Sequence, residues 1–376
     1  MTTQEITTHK LILSTSVLSR CLAPLKVLIA KNPVVPILDH FLFSCDGATL
    51  TVTASNMQVF LSVEVPVEST TDGFFCCVPA KLLTDLLDKL PEQPATMLIG
   101  ESLTLLTDNG EYELPLQGEV DYPSSSEATD GLRVSLPVDQ LQYALYHTTF
   151  ATSDNELRPA MGCVYIESKL GLRFMATDGH RAVCVDRPDA GLDPFSALLP
   201  RKAAALLTKL LADSAGDVDI EIRPTTILFW IGPYLLEVRQ VDETFPDVLA
   251  AIKSNPYQLT IGKQDLGGVL KRLLVFADKT TALIRMDLEM SNQVRLSVNN
   301  ETMERRATEK LFCDYPGDPL TIGFNGGLLL EMIEHIDGPM VTLSLESPTK
   351  AVFIHEESTP GEVTVTSLLM PQQVNG

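Results

Sequence analysis

Apolar and polar positions along this chain repeat the same succession of elements three times. Over residues 16–30, Val17, Leu18, Cys21, Leu25 and Leu28 recur at three- and four-residue spacing, the stripe of an amphipathic helix. Residues 138–150 and 263–276 predict the same kind of helix, each after an opening strand. A second helix is predicted later in each copy, over 80–90, 201–211 and 325–336, with Pro79 and Pro200 standing just before two of them. Between the helices, alternating strands over 49–52, 172–175 and 294–297 lead into the turns Ala54-Ser55-Asn56, Ala176-Thr177-Asp178 and Val298-Asn299-Asn300. More strand-like text follows, through Val59-Phe60-Leu61, Val183-Cys184-Val185 and Arg306-Ala307-Thr308. Each copy closes on a hairpin and a proline-bearing tail, at Asp121-Tyr122-Pro123, Thr244-Phe245-Pro246 and Leu369-Met370-Pro371.

Recurrence through the whole length defines an α+β architecture of three tandem repeats, each with two helices and several strands. Linker-like stretches at 124–131 and 250–256 set the expected domains at 1–128, 129–250 and 251–376. With 376 residues and 45% apolar composition, the chain has material for two to three cores. Three similar units joined head to tail form an arc, and a heterologous contact between two arcs can close a ring. If each unit turns its two helices inward and its sheets outward, the expected fold is a half ring with helices lining the inside and sheets outside.

Charge alters this picture in an unexpected direction. The formal net charge is −21, the wrong sign for a phosphate-binding surface. The acid is shared: six basic residues face sixteen acidic ones in the first repeat, eleven face seventeen in the second, and eleven face sixteen in the third. Two gaps break it. No Asp or Glu occurs from Ile6 to Leu38, where Lys10, Arg20, Lys26 and Lys31 stand, nor from Pro194 to Ala212, where Arg201, Lys202 and Lys209 stand. With the helices turned inward, these cations would make sequence-independent, salt-screened phosphate contacts while the carboxylates fall outside. Lys81, at a helix start, and Lys271 and Arg272, in mid-helix, belong to the same set. The seven cysteines form no CxxC pair and most lie in apolar strand text, as reduced core residues do. No signal pattern or membrane-length apolar run appears, so a soluble, cytoplasmic protein is expected.

The text Leu157-Arg158-Pro159-Ala160-Met161-Gly162, followed by Ala176-Thr177-Asp178-Gly179-His180-Arg181, resembles the middle-domain signature of the bacterial sliding clamp family, the β subunit of DNA polymerase III. Pro36-Ile37-Leu38, Val241 through Asp247, Gly323-Phe324-Asn325 and the terminal Leu368-Leu369-Met370-Pro371 agree in the family's order. The resemblance implies a homodimeric ring around double-stranded DNA, read without sequence preference. It would tether the replicative polymerase α subunit and serve the clamp loader and other proteins carrying clamp-binding peptides. Carried over, DNA binding falls to Lys31, Lys81, Arg158, Arg201, Lys202, Lys271 and Arg272. The partner-peptide pocket falls to Thr177, Gly179, His180, Arg181, Pro246, Leu368, Leu369, Met370 and Pro371. The dimer interface falls to Tyr112 and Leu114 in the first repeat and Val275 and Phe276 in the third. Departures include Ala182, where a larger aliphatic residue is common, and a tail without a basic residue.

Two other classes compete with this reading. Asp178 and His180 could form a metal or acid–base site, but the matching positions of the other repeats are Asn56 with Gln58 and Asn300 with Thr302, ordinary turn residues. No HExxH, GxSxG or Walker run occurs, so neither catalysis, a metal nor a cofactor is expected. The net charge would suit a clamp-like acidic interaction protein that never encircles DNA; the acid-free helices and Arg158 argue against it.

Overall fold

In the computed structural model, the described residues are 9–374, apart from 48, 70–72, 119–121, 125–129, 170, 189–190, 249, 251–254, 290–291 and 356–362. Much of both expected linkers, 124–131 and 250–256, thus lies outside them. Six α-helices form among the described residues: α1 (Thr15–Leu22), α2 (Ala80–Leu87), α3 (Val138–Thr148), α4 (Arg201–Leu211), α5 (Lys263–Leu274) and α6 (Gly326–Glu334). They fall where the periodicity places them, and α1 is the one most shortened. Pro24 lacks the N–H for the next helical bond, and the chain continues as a 3-10 turn over Leu25–Leu28.

The chain packs as two compact units, one of 1–141 with 205–240, the other of 142–204 with 241–376. In the first, a five-stranded sheet runs Glu68–Ser69, His9–Ser14, Pro94–Ile99, Ser102–Thr107, Gly110–Pro115. Its eight-stranded sheet runs Leu132–Pro137, Asp217–Ile222, Thr226–Ile231, Tyr234–Arg239, Val59–Pro66, Thr49–Ser55, His40–Cys45, Phe74–Pro79. The second unit holds an eight-stranded sheet ordered Phe195–Pro200, Cys163–Ser168, Leu172–Thr177, Arg181–Arg187, Thr364–Leu369, Val352–His355, Met340–Leu345, Tyr257–Gly262. Its four-stranded sheet runs Arg305–Phe312, Gln293–Asn300, Leu283–Leu288, Leu320–Asn325.

Each eight-stranded sheet joins four strands of one repeat to four of the next. The seam is the last strand of the later repeat against the strand after the Asn/Asp turn of the earlier one. Glu237 pairs with Phe60 at the first seam, and Leu368 with Ala182 at the second. The packing units therefore cut through the middle repeat instead of following the linkers.

Alternation dictates what each sheet buries. Phe41, Phe43 and Phe229 are fully enclosed in the first unit and Phe324 in the second. The cysteines are free thiols, and all but Cys21 are buried. Burial pushes the thiols of Cys76, Cys163 and Cys184 up to about 12, which keeps them protonated and inert at neutral pH.

Helix α6 has a side-chain cap. Asn325 Oδ1 accepts from the amides of Gly327 and Leu328 at 3.0 and 3.1 Å. Replacing Asn325 with Ala is expected to cost about 0.5–2 kcal/mol, read as a lower urea midpoint at unchanged slope.

Candidate functional site

The residues that carried the family signature meet at the second seam, inside the second unit. The turn from Thr177 to Arg181 is fixed by its own polar groups. Thr177 Oγ1 donates to the Arg181 carbonyl at 2.6 Å and accepts from the Gly179 amide at 3.1 Å. Asp178 Oδ1 accepts from the amides of His180 and Arg181 at 2.9 and 3.0 Å. Gly179 sits at φ +89°, a conformation that a side chain at this position would strain. With its carboxylate committed to the turn, Asp178 is a structural acceptor. Among the described residues no group of three or more His, Cys, Asp or Glu is placed to hold a metal.

Beyond the turn, strand alternation sends neighbours to opposite faces of the sheet. Ala182, Leu368 and Phe353 form one row across three paired strands and bury one another. Val248 and Ala351 pack against this row. The segment after the last strand of the middle repeat runs over the same sheet, with Phe245 stacked on Tyr165 at 4.9 Å between ring centroids. Pro246 lies between Phe245 and Val248. Ala182 is the smallest side chain of the row. At the rim, His180 is exposed and Met370 is 40% exposed, and the Met370 amide donates to the His180 carbonyl at 2.8 Å. Thr177, Gly179, His180, Pro246, Leu368, Met370 and Pro371 thus belong to or border one apolar site with a polar lip, suited to an extended peptide with apolar anchors.

Two expected pocket residues lie elsewhere. Arg181 and Leu369 pair with each other one position along the strands, so they point to the opposite face. Leu369 is fully buried in the core of the second unit. Arg181 is 5% exposed and fully engaged. Its Nε donates to Asp178 at 3.0 Å, Nη1 to Glu331 of α6 at 2.7 Å, and Nη2 to the Phe150 carbonyl at 2.8 Å, with the guanidinium 5.0 Å from the Phe150 ring centroid. Arg181 is an internal tie between the turn and α6, not a pocket lining. Phe353 and Val248 went unrecognised in the sequence. Their signal is positional only, because Phe353 faces Leu368 across a pairing that no local text reveals.

The expected DNA-contacting cations divide into two groups. Arg201 is paired with Asp154, Lys271 with Glu334 at 2.8 Å, and Arg272 with Glu309 through two donors at 2.9 and 2.6 Å. Lys31, Lys81, Arg158 and Lys202 are exposed and have no ion pair among the described residues. Lys31 and Lys81 line one cleft of about 590 Å³ with Lys26. Of the expected dimer residues, Val275 and Phe276 are 70% and 39% exposed just after α5. Tyr112 is half-buried, whereas Leu114 is 1% exposed and belongs to the core of its own sheet, which takes it out of any contact surface.

Known proteins match the chain over nearly its whole length. Residues 9–126, 135–247 and 253–373 match the family models for the N-terminal, central and C-terminal domains of the DNA polymerase III beta subunit. The beta sliding clamp of Caulobacter vibrioides is 26% identical over 386 residues, covering 97% of this chain and all of that protein. The beta sliding clamp of Pseudomonas aeruginosa is 27% identical over 334 residues, covering 87% and 90%. Among solved structures, a Bartonella birtlesii sliding clamp bound to griselimycin has a TM-score of 0.89 at 26% identity, covering 98% of this chain and 100% of that one. A Pseudomonas aeruginosa sliding clamp bound to griselimycin has the same fold, with a TM-score of 0.92 at 23% identity over 98% and 100%. This chain belongs to the bacterial β sliding clamp family and functions as a DNA sliding clamp. Among the described residues, no helix is long and apolar enough to cross a membrane.

Removing the Arg181 side chain leaves Asp178 and Glu331 without their cation and the Phe150 carbonyl without its donor. Arg181→Ala is expected to cost about 2–4 kcal/mol, discounted for the half-exposed Glu331, and to lower the unfolding midpoint in denaturant. His180→Ala, at the exposed lip, should leave that midpoint unchanged.

Proposed function

We propose that two copies of this chain close head to tail into a ring around duplex DNA, acting as a non-catalytic processivity factor. The groove over Ala182, Leu368 and Phe353 then receives short peptides of the polymerase α subunit, the clamp loader and other replication proteins. The observation that carries the ring is the rule by which the repeats already join. At both internal seams, the last strand of the later repeat pairs with the strand after the turn of the earlier one. One such pair of strands is left over. Gly110–Pro115 ends the first repeat and is an edge of its sheet; Arg305–Phe312 follows the third turn and is also an edge. Unpaired edges of this kind invite another chain.

The rule supplies a register. Within the hairpins, Ser55 pairs with Phe60, Thr177 with Ala182, and Asn299 with Arg306, which makes Phe60, Ala182 and Arg306 equivalent. Ile231 pairs with Tyr234 and Thr107 with Gly110 at matching hairpin ends, which makes Glu237 and Glu113 equivalent. The observed pair Glu237–Phe60 then becomes Glu113 of one copy opposite Arg306 of the other. Glu111 falls opposite Thr308, with Arg306 and Lys310 as its diagonal neighbours. All five side chains are exposed, and opposite charges across paired strands are favourable. In place of Leu114, the first repeat offers Tyr112 and its strand edge, with Val275 and Phe276 as apolar surface on the third.

DNA contact rests on the unpaired cations. Lys31, Lys81, Arg158 and Lys202 are free to meet phosphate, whereas Arg201, Lys271 and Arg272 first have to leave a carboxylate. Replacing Lys81 and Lys202 with Ala is expected to reduce the slope of log affinity against log salt by up to ~2 units, about 0.9 per lost phosphate contact. A slope unchanged in a folded dimer removes these lysines from the DNA surface.

Ring closure is tested by charge reversal. Glu113→Arg should give a folded monomer in sedimentation, and adding Arg306→Glu in the same chain should restore the dimer. Val275→Ala with Phe276→Ala should weaken the dimer by ~1–3 kcal/mol per side chain. A Glu113→Arg chain as dimeric as the parent contradicts the register.

A further inference from the structure

The C-terminal tail crosses the rim of the groove and is fastened at both ends. At its start, the Met370 amide donates to the carbonyl of His180 on the turn. Two residues on, the Gln372 amide donates at 2.8 Å to the carbonyl of Gly323, forming an antiparallel bridge to the open edge of the Leu320–Asn325 strand. The Leu320–Asn325 strand is otherwise paired on one side only, with Leu283–Leu288. Pro371, between the two bonds, has no amide hydrogen to add a third.

At Gly323 the tail leaves no room for a side chain. A Cβ built there would lie 2.6 Å from Val374 Cγ2, 2.8 Å from the Gln372 carbonyl oxygen and 2.9 Å from Leu283 Cδ1. The backbone gives no reason for glycine, because Gly323 is not among the residues with positive φ and pairs regularly with Arg285. A strand interior disfavours glycine, so its use in this strand answers to space. The Gln372 carbonyl is backbone and can yield only if the tail moves.

We infer that Gly323 is a positioning residue for the peptide groove: by carrying no side chain, it lets the tail dock on the sheet edge and so holds Met370 and Pro371 at the groove's rim. The inference rests on the peptide-groove reading above. A free tail would leave Met370 hinged at Leu369, and a bound peptide would then have to order that end of the chain as well as its own.

Two variants separate the elements. Gly323→Val crowds the docking point from the sheet side. Gln372→Pro removes the amide that makes the bond and leaves the sheet untouched, so it serves even where Gly323→Val impairs folding. Amide hydrogen exchange of the C-terminal segment in the full-length protein reports docking, a readout that general loss of packing around Gly323 does not give for Gln372→Pro. A fluorescein-labelled Gln-Ala-Leu-Phe peptide reports the groove. Both variants should show faster exchange of the tail and peptide binding weakened about tenfold or more, with dimerisation retained. Fast exchange with parental peptide affinity overturns the inference, and so does a slowly exchanging, docked tail in Gly323→Val. The groove reading fails separately, if the parent protein does not bind the peptide or binds it equally well after His180→Ala.

Discussion

Every strand at the edge of a sheet carries a row of backbone N–H and C=O groups that need partners, and the organisation of this chain follows from how those rows are matched. One repeat alone would have open edges. By setting the last strand of each repeat against the fourth strand of the one before, the chain converts two of its seams into continuous eight-stranded sheets. The rule has no internal stopping point, and the two strands it leaves over carry opposite charge on their exposed positions.

The same seam brings the residues of the candidate site together. Because alternate residues of a strand point to opposite faces, Arg181 and Ala182 serve different ends although they are adjacent in sequence. Arg181 gathers Asp178, Glu331 and Phe150 beneath the sheet, while Ala182 joins Leu368 and Phe353 above it. The tail adds a rim that is held at both ends and depends on one missing side chain.

Much of this was legible in the sequence. The threefold recurrence and the positions of the six helices among the described residues could be read from apolar spacing, because an amphipathic stripe is a local property. The turn from Thr177 to Arg181 could also be read, since Thr, Asp and Gly at those positions satisfy its amides within five residues. Partnerships between distant strands could not. Phe353 joins Ala182 and Leu368 only through the pairing of its strand with that of Leu368, and Leu114 is buried by its own sheet; no local text carries either fact. Arg181 looked like a pocket residue because the signature names residues in order without saying which face they take. The carboxylate partners of Arg201, Lys271 and Arg272 were hidden for the same reason, Asp154 and Glu309 being 47 and 37 residues away from the first and last of these.

The central claim is that the pairing rule of the internal seams also governs the contact between copies, register included. It is tested most directly by mixing a Glu111→Cys chain with a Thr308→Cys chain under mild oxidation. The rule places these positions directly opposite, with Cβ atoms about 4.5–5.5 Å apart, close enough for a disulfide after small adjustment. The native thiols are buried apart from the half-buried Cys21, which keeps the background low. The predicted result is a covalent dimer from the mixture and none from either chain alone. No cross-link in the mixture, or an equal yield when Thr308→Cys is replaced by Lys310→Cys, would contradict the account.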